Sequence, residues 1–238
     1  MTAKLNIDIK QLFNSGSHYG FTKRRRHPSV IPYIYATKDG NDVIDLSITS
    51  EQLHKATSVI QETVKAGKQI MFVGTKDEVS YMVRDTAKRI EVPYATNRWI
   101  GGMLTNFSEV KKRIKRLQEL QQEKEDGTWE RKYTKKERVM FGRELAKLDF
   151  NFGGIKDLVK VPDLLIVFDP RHESIAIDEA LMLSIPVIAV AGTDCDVNKI
   201  EYPIVMNDAL QGSVRLALAQ FATAHQTALV TENQRVAK

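Results

Sequence analysis

Short, continuously apolar runs alternate with helical segments along this chain, and one long charged interval breaks the alternation. The apolar runs lie at 43–46, 69–74, 92–95, 163–169, 186–191 and 203–206, and helices are predicted over 50–66, 77–90, 173–184 and 208–224. Strands that are apolar at successive positions are typical of a parallel sheet covered by helices on both faces. The sequence therefore predicts an α/β fold with a doubly wound, mostly parallel sheet of the flavodoxin or Rossmann type.

The charged interval, 106–152, contains two helical segments, each with a narrow apolar seam. Its apolar residues recur at three- and four-residue spacing, at Phe107, Val110, Ile114 and Leu117 and again at Phe141, Leu145, Leu148 and Phe152. Asp126-Gly127 interrupts the first segment, and Thr134 with Glu137 forms a capping-box pattern before the second. Two such seams joined by a polar turn predict an antiparallel coiled-coil hairpin inserted into the sheet domain.

These boundaries predict three parts of the chain. The α/β domain is discontinuous, comprising 1–105 and 153–225, and the hairpin insertion occupies 106–152. The residues from 226 to 238 are polar and show no periodicity, which predicts a flexible C-terminal tail.

The composition is that of a folded chain in a reducing compartment. An apolar share of 42% with 27% charged residues excludes a wholly disordered or fibrous chain. The single cysteine, Cys195, cannot form an internal disulfide. The first eight residues include acidic and polar residues where a signal peptide needs a continuous apolar region, and no run reaches the ~18 apolar residues of a membrane span. A cytoplasmic or organellar location without membrane contact is expected.

The densest basic run is 23–27 (KRRRH), in a chain whose net charge is only +5. Tyr19, Phe21 and Tyr33 flank it. Arginine side chains bind phosphate oxygens through two parallel hydrogen bonds, and aromatic rings stack on unpaired RNA bases. Four consecutive cations repel one another without a counter-surface, so RNA contact is favoured over a solvated loop or a targeting signal.

The hairpin is the second basic region. Residues 107–150 contain 13 Lys and Arg against 9 Asp and Glu, so this segment carries +4 and the remaining chain +1. Five cations fall within 111–116, and five more lie near the turn at 131–138. Ion pairs with acids such as Glu119 and Glu123 would make the same surface an ordinary solvated helix face. Charge alone does not choose between this interpretation and RNA contact.

The string 98–107 (RWIGGMLTNF) precedes the hairpin. Paired glycines, Gly101 and Gly102, allow a tight turn, and Thr105 or Asn106 can cap the following helix. This pattern favours a rigid joint that sets the direction of the hairpin, with Trp99 in the core. The joint residues are Trp99, Gly101, Gly102 and Thr105, and Arg98 remains a candidate RNA contact.

An enzyme is the alternative, because doubly wound sheets bind ligands at the carboxyl ends of their strands, where Gly74-Thr75-Lys76 lies. However, neither G-x-G-x-x-G nor G-x-x-x-x-G-K-[ST] is present, so a nucleotide cradle is unsupported. Asp169 and Glu173 form a carboxylate pair of the kind that usually serves a helix N-terminus. Five scattered histidines and Cys195 show no metal-ligand spacing. No catalytic residue, metal ligand or cofactor is assigned.

Two strings identify a resemblance, 98–107 (RWIGGMLTNF) and 162–180 (PDLLIVFDPRHESIAIDEA). Both resemble signatures of the second protein of the small ribosomal subunit, the universal S-two family, in its bacterial-type form. Supporting matches, in order, are 16–20 (GSHYG), 44–46 (IDL), 72–76 (FVGTK), 135–137 (KKE), 153–155 (GGI), 185–187 (IPV) and 207–208 (ND). The resemblance extends from about Leu5 to Ala222.

The resemblance implies a doubly wound domain with a coiled-coil arm, bound to small-subunit ribosomal RNA between head and body in a cytoplasmic ribosome. It implies no catalytic activity, no cofactor and no small-molecule substrate, and it implies neighbouring ribosomal proteins as partners. It places RNA contacts on the N-terminal loop and the hairpin, the regions that charge selects. The candidate RNA contacts are Lys23, Arg24, Arg25, Arg26, His27, Lys76, Arg98, Asn106, Lys111, Lys112, Arg113, Lys115, Arg116, Arg131, Lys132, Lys135, Lys136 and Arg138.

The chain departs from the family pattern at two acidic strings. The usual Asp-Thr-Asn is Gly192-Thr193-Asp194, and the usual Asn-Asp-Asp is Asn207-Asp208-Ala209. In some members these acids form a metal-binding patch where the large S-one protein docks. The resemblance therefore assigns no metal here and leaves the S-one partner open. Besides the nucleotide-using enzyme, a ribosome-derived adhesion or scaffold protein remains as an alternative.

Overall fold

The structure is a computed structural model that describes residues 8–236, with side chains for residues 8–231. Its strands are β1 (Tyr19–Thr22), β2 (Ile34–Lys38), β3 (Asn41–Ile44), β4 (Ile70–Val73), β5 (Tyr94–Ala95), β6 (Leu164–Phe168), β7 (Val187–Ala191) and β8 (Tyr202–Val205). Its α-helices are α1 (Ile9–Asn14), α2 (Leu46–Lys65), α3 (Asp77–Arg89), α4 (Phe107–Glu125), α5 (Thr128–Lys132), α6 (Lys135–Phe152), α7 (Ser174–Met182) and α8 (Gln211–Val236). Pro28–Tyr33 and Gly153–Ile155 form short 3-10 helices.

Strands β4 to β8 form one parallel sheet in the order β5-β4-β6-β7-β8. Phe72 on β4 pairs with Ile166 on β6, which pairs with Ile188 on β7. The strand order reverses between β4 and β6, as in flavodoxin-like sheets. The α/β fold class predicted from the sequence is confirmed.

Alternate residues of the sheet face two separate layers of helices. Ile70 and Phe72 point into a cluster with buried residues of α2, α3 and α8. Met71 and Val73 point into a second cluster with α7 and the segment around Trp99. Because both faces are covered, the strands are apolar at every position, which is why their runs are recognisable in the sequence.

The first predicted strand lies elsewhere. Residues 43–46 were expected to form a buried strand of the α/β unit, but β3 ends at Ile44 and pairs antiparallel with β1 and β2 in a separate three-stranded sheet. Asp45 then caps α2 by accepting a hydrogen bond from the Ser47 backbone N–H at 2.9 Å, so α2 begins at Leu46 rather than near 50. A short apolar run does not distinguish the two kinds of sheet.

The charged interval forms the helices α4 and α6, with the short helix α5 at the turn between them. Gly127 adopts φ +66° where α4 ends. The predicted capping box is present: the Thr134 hydroxyl accepts the Glu137 N–H at 3.4 Å, and the Glu137 carboxylate accepts the Thr134 N–H at 2.8 Å. A helical pair is thus established, while its coiled-coil character stays a prediction.

The apolar seam of α4 and α6 joins the core of the sheet. Ile114 and Leu117 of α4 and Leu148 and Phe152 of α6 are buried in the same cluster as Met71. At the turn, Trp129 is buried and its ring lies 6.1 Å from that of Phe141. The hairpin base is therefore packed against the sheet face that carries Met71 and Val73 and does not stand free of it.

The C-terminal helix is longer than predicted. A helix over 208–224 followed by a flexible tail was expected, but α8 continues from Gln211 to Val236. Ala224 and Ala228 are buried four residues apart, so the inward face continues beyond 224. Small alanines give a weak periodic signal, which explains the missed extension. Of the predicted tail, residues 237–238 lie outside the described part of the chain.

Candidate nucleic-acid interface

The basic run at 23–27 forms a loop between β1 and the first 3-10 helix. Its ends are fixed to the body of the protein, since the Lys23 backbone N–H donates to the Gly40 carbonyl at 3.0 Å. The His27 backbone N–H donates to the Thr193 carbonyl at 2.9 Å. The loop is thus held against the region that follows β7.

Three of its five side chains face acidic partners. Arg25 lies 3.3 Å from Asp194, and Arg26 lies 3.3 Å from the buried carboxylate of Asp42. His27 lies 3.8 Å from Asp196. Arg26 is only 19% exposed at its side chain, so it serves mainly to neutralise Asp42.

Lys23 and Arg24 are different, because both are exposed and no carboxylate among residues 8–231 lies within 4.0 Å of either. Arg25 retains 56% side-chain exposure, and its guanidinium lies 4.6 Å from the centre of the Phe21 ring. The outer surface of the loop therefore presents Lys23, Arg24 and part of Arg25 to an anionic partner.

On the hairpin, several predicted contacts are engaged within the protein. Lys112 lies 2.6 Å from Glu109 and Lys115 lies 3.9 Å from Glu119, on one helix. Arg131 donates to the backbone carbonyls of Asp126 at 2.7 Å and Gly127 at 3.3 Å. These exposed pairs are weak and compete with solvent, so the lysines remain available.

Arg116 and Arg138 are the least accessible of the hairpin cations. Arg116 on α4 makes two hydrogen bonds, at 3.1 and 3.2 Å, to the carboxylate of Glu144 on α6. This hydrogen bonding, against a smaller effect of burial, raises the pKa of Arg116 above its ordinary value. The Nε atom of Arg138 is buried and has no hydrogen-bond partner among the described residues. The hydrogen bonds from Arg116 to Glu144 thus join α4 to α6.

The remaining predicted contacts of the hairpin are exposed and have no carboxylate within 4.0 Å in the described part of the chain. Two of them lie near aromatic rings, Lys111 at 5.4 Å from the Phe107 ring centre and Lys132 at 5.6 Å from that of Tyr133. The set is Lys111, Arg113, Lys132, Lys135 and Lys136. These side chains make the hairpin the larger of the two basic surfaces.

The predicted joint is organised by a residue that the sequence did not identify, Glu179 of α7. Glu179 is 6% exposed, and its carboxylate accepts five hydrogen bonds from the segment before α4. The donors and distances are Trp99 Nε1 at 3.1 Å, Gly102 N at 2.8 Å, Leu104 N at 2.9 Å, Thr105 N at 3.1 Å and Thr105 Oγ1 at 3.1 Å. Burial would raise the pKa of Glu179, but the backbone N–H groups of Thr105 and Leu104 and the other donors hold it below its ordinary value.

The joint also corrects the predicted helix cap. Asn106 occupies the N-cap position of α4 without a side-chain hydrogen bond to the helix, and the Thr105 hydroxyl is committed to Glu179. The Asn106 side chain instead accepts from the Ser108 hydroxyl at 3.4 Å. Arg98 and Asn106 are both exposed at this joint. Nothing local in the sequence marks Glu179, because its donors lie more than 70 residues away along the chain.

Lys76 lies apart from both basic surfaces, at the carboxyl edge of the sheet. Its ammonium group donates to Asp169 at 2.9 Å and its side chain is 20% exposed. Burial would lower the pKa of Lys76, but the hydrogen bond to Asp169 and the nearby charge of Asp208 raise it. The geometry thus gives no support to Lys76 as an RNA contact.

The same edge is acidic, which bears on the nucleotide-binding alternative. The Thr75 backbone N–H, which follows β4 and would face a phosphate, donates to Glu173 at 2.7 Å. The Thr75 hydroxyl donates to the same carboxylate at 2.6 Å. Burial raises the pKa of Glu173 above its ordinary value, although these two hydrogen bonds act to lower it. Asp169 and the buried Asp208 are close by. A phosphate placed here would meet three carboxyl groups and an occupied N–H.

Asp169, Cys195 and Asp208 have ligand atoms within 4.8 Å of one another, close enough to hold one metal ion. Lys76 already neutralises Asp169, and burial raises the pKa of the Cys195 thiol, which keeps it protonated. Gly192, where the family usually has an acid, leaves space that Asp208 fills: an added Cβ would lie 2.7 Å from Asp208 Oδ1. The donor set does not fit a divalent ion.

Comparison with known proteins identifies the chain. Residues 12–228 match the family model described as Ribosomal protein S2. The chain belongs to this family. The curated relatives of this S2 chain include proteins named "Small ribosomal subunit protein uS2" from Arthrobacter sp. (strain FB24) and from Coprothermobacter proteolyticus.

The Arthrobacter protein is 39% identical over 229 residues, covering 96% of this S2 chain and 78% of the relative. The Coprothermobacter protein is 42% identical over 219 residues, covering 92% and 81%. The chain is therefore a bacterial-type ribosomal protein of the small subunit, bound to the ribosome in the cytoplasm, and not an enzyme. Separately, none of the described helices combines the length and apolar character needed to span a membrane.

Proposed function

We propose that this S2 protein is a structural component that binds small-subunit ribosomal RNA through two surfaces, the loop at 23–27 and the hairpin formed by α4, α5 and α6. On this proposal the protein lies between the head and body of the subunit and supports subunit assembly and translation. Neighbouring small-subunit proteins are its other partners. The hairpin, 106–152, acts as an insertion in an α/β domain made of 1–105 and 153–225.

The observation that carries this proposal is the distribution of unpaired cations. Lys23 and Arg24 on the loop, and Lys111, Arg113 and Lys135 on the hairpin, are exposed and lie beyond 4.0 Å from every described carboxylate. Phosphate oxygens supply the missing negative charge at many positions along an RNA strand. Arg26 and Arg116, by contrast, keep the loop and the hairpin in shape.

An association with the S-one protein is not included in this proposal. The acids through which some family members build that interface are replaced here by Gly192 and Ala209. Asp208, the acid of these strings that the chain retains, is only 1% exposed and lies beside Asp169 and Cys195.

The test is binding to small subunits that lack this protein. The variant Lys111→Gln/Arg113→Gln/Lys135→Gln should bind at least tenfold more weakly at low salt. The slope of log K against log salt is negative, and its magnitude should fall by about 3, because each lost phosphate contact removes nearly one unit. A matched control, Lys10→Gln/Lys55→Gln/Lys68→Gln, removes the same charge from other exposed positions and should leave the slope unchanged. Equal slopes for the hairpin variant and wild type would contradict the proposal.

A further inference from the structure

A third basic feature lies between α3 and α8, away from the loop at 23–27. It is a groove of about 690 Å³ whose walls are the flanks of these two helices. Four cations line it, Arg84, Lys88 and Arg89 from α3 and Arg215 from α8, with the single acid Asp85. We call this feature the α3–α8 groove. Its net charge is +3.

The cations of the groove are not neutralised within the protein. All four side chains are exposed, and across residues 8–231 no carboxylate lies within 4.0 Å of any of them. On α3, Lys88 and Arg89 lie in the last turn, where the helix dipole favours positive charge. The helix dipole does not favour the positive charge of Arg215, because this residue lies near the N-terminal end of α8.

An aromatic side chain connects the two walls. The Arg215 guanidinium donates to the hydroxyl of Tyr81 at 3.2 Å across the groove. Tyr81 is 38% exposed, so part of its ring faces the open side. Arginine forks and an accessible aromatic ring are the groups that contact phosphates and unstacked bases of RNA.

The groove opens toward the hairpin. A neighbouring cavity of about 990 Å³ shares Arg84 and Lys88 with it and passes Tyr94 on the edge strand β5. This cavity is also lined by Phe150 and Lys156, near the C-terminal end of α6. Glu91, Asp149 and Asp157 also line this cavity and balance the charges of Arg84, Lys88 and Lys156.

We propose that the α3–α8 groove binds the phosphate backbone of an RNA segment that runs past β5 toward the foot of the hairpin. This inference rests on the proposed RNA-binding function. It adds a contact site among the helices that cover the sheet face of Ile70 and Phe72, opposite the face that packs against the hairpin. A mononucleotide is a poor occupant, because the walls are helix flanks whose backbone N–H groups are used within the helices. Only side chains reach the ligand, as in contacts to an RNA backbone.

The first experiment removes the groove charge. In binding to small subunits lacking the protein, Arg84→Gln/Lys88→Gln/Arg215→Gln should lower the magnitude of the slope of log K against log salt by about 2 to 3, because each of three lost phosphate contacts contributes about 0.9. The control variant Lys10→Gln/Lys55→Gln/Lys68→Gln should keep the wild-type slope. If the groove variant keeps it while the hairpin variant loses it, the groove proposal is wrong and the proposed function stands. If wild type itself fails to bind, the proposed function is wrong.

The second experiment locates the contact. Cys195 is buried, so a cysteine introduced at the exposed Ala219 of the groove carries the accessible thiol among the described residues. An iron chelate attached to Ala219→Cys should cleave ribosomal RNA in the assembled subunit, and one attached to Lys55→Cys on α2 should not give the same cleavage sites. Absence of RNA cleavage from position 219, or crosslinking of that position to a protein alone, would overturn the proposal.

Discussion

The buried carboxylate of Glu179 on α7 accepts the indole N–H of Trp99 at 3.1 Å and thereby ties the segment before the hairpin to the sheet layer. Four further donors from Gly102, Leu104 and Thr105 complete the arrangement. A single side chain thus satisfies backbone N–H groups that would otherwise be buried without partners.

Replacing this carboxylate should therefore destabilise the protein. The Gln side chain of Glu179→Gln turns an NH2 group toward donors, so the free energy of unfolding should fall by about 2–4 kcal/mol. Urea denaturation measures the change. Asp178→Asn is the control, because Asp178 is an exposed neighbour whose ion pair with Lys199, at 3.5 Å, should contribute less than about 1 kcal/mol. Equal effects of the two substitutions would refute the role of Glu179.

The two glycines of the joint should respond differently to alanine. Gly102 has φ +86°, so Gly102→Ala should cost roughly 1–2 kcal/mol of unfolding free energy. Gly101 has no atom within 4 Å of an added Cβ and no positive φ, so Gly101→Ala should change stability by less than about 0.5 kcal/mol. Thermal and urea unfolding of the pair provide the comparison, and a larger cost at Gly101 would count against the geometry.

The buried Asp208 should make stability depend on pH. Burial, followed by the charge of Asp169, raises its pKa from 3.8 to about 7. Between these values the folded state binds more protons than the unfolded state, so this group lowers stability as pH rises from about 4 to 7. Asp208→Asn removes that dependence. The free energy of unfolding of the variant relative to wild type should increase by about 1–3 kcal/mol from pH 5 to pH 8.

The same measurement with Asp157→Asn is the control, because Asp157 is exposed. Its difference from wild type should be nearly constant over this pH range. A constant difference for Asp208→Asn as well would show that Asp208 keeps an ordinary pKa.

Within the basic loop, two arginines should separate binding from stability. Arg24 is exposed, so Arg24→Gln should weaken binding to subunits lacking the protein and leave unfolding unchanged. Arg26→Gln leaves the buried Asp42 without its cation, and the free energy of unfolding should fall by about 1–3 kcal/mol. Loss of stability in the Arg24 variant would show that the loop cations are structural throughout.

The pair Arg116–Glu144 should contribute to the packing of α4 against α6. Both side chains are partly exposed, at 37% and 42%, so a double-mutant cycle should give a coupling of about 0.5–1 kcal/mol. The control cycle on Lys112 and Glu109, which lie on one helix and are more exposed, should give at most about 0.5 kcal/mol. A coupling for Arg116–Glu144 no larger than that of the control would remove it as an interhelical clamp.

The sequence predicted the elements that depend on local patterns. Continuous apolar runs such as 164–168 identified the parallel strands because both faces of the sheet are covered. The pattern Thr134 with Glu137 identified the beginning of α6 because a capping box is complete within four residues. Both signals reside in neighbouring residues.

Features that depend on distant residues were not predictable in this way. Glu179 meets its donors across more than 70 residues, and Lys76 was assigned to RNA although Asp169, far along the chain, neutralises it. The α3–α8 groove combines Arg84 with Arg215, which no sequence window contains. Ranking cations by their density along the chain therefore selected the loop and the hairpin and missed the groove.

The joint at Glu179 has a mechanical consequence. Helix α4 has 19 residues, which corresponds to a length of about 28 Å, and it starts directly after the joint. A rotation of about 10° at that point would displace the far end of the helix by about 5 Å. The direction in which the hairpin presents its row of exposed cations thus depends on the rigidity of this joint, together with the packing of Ile114 and Leu117 against the sheet.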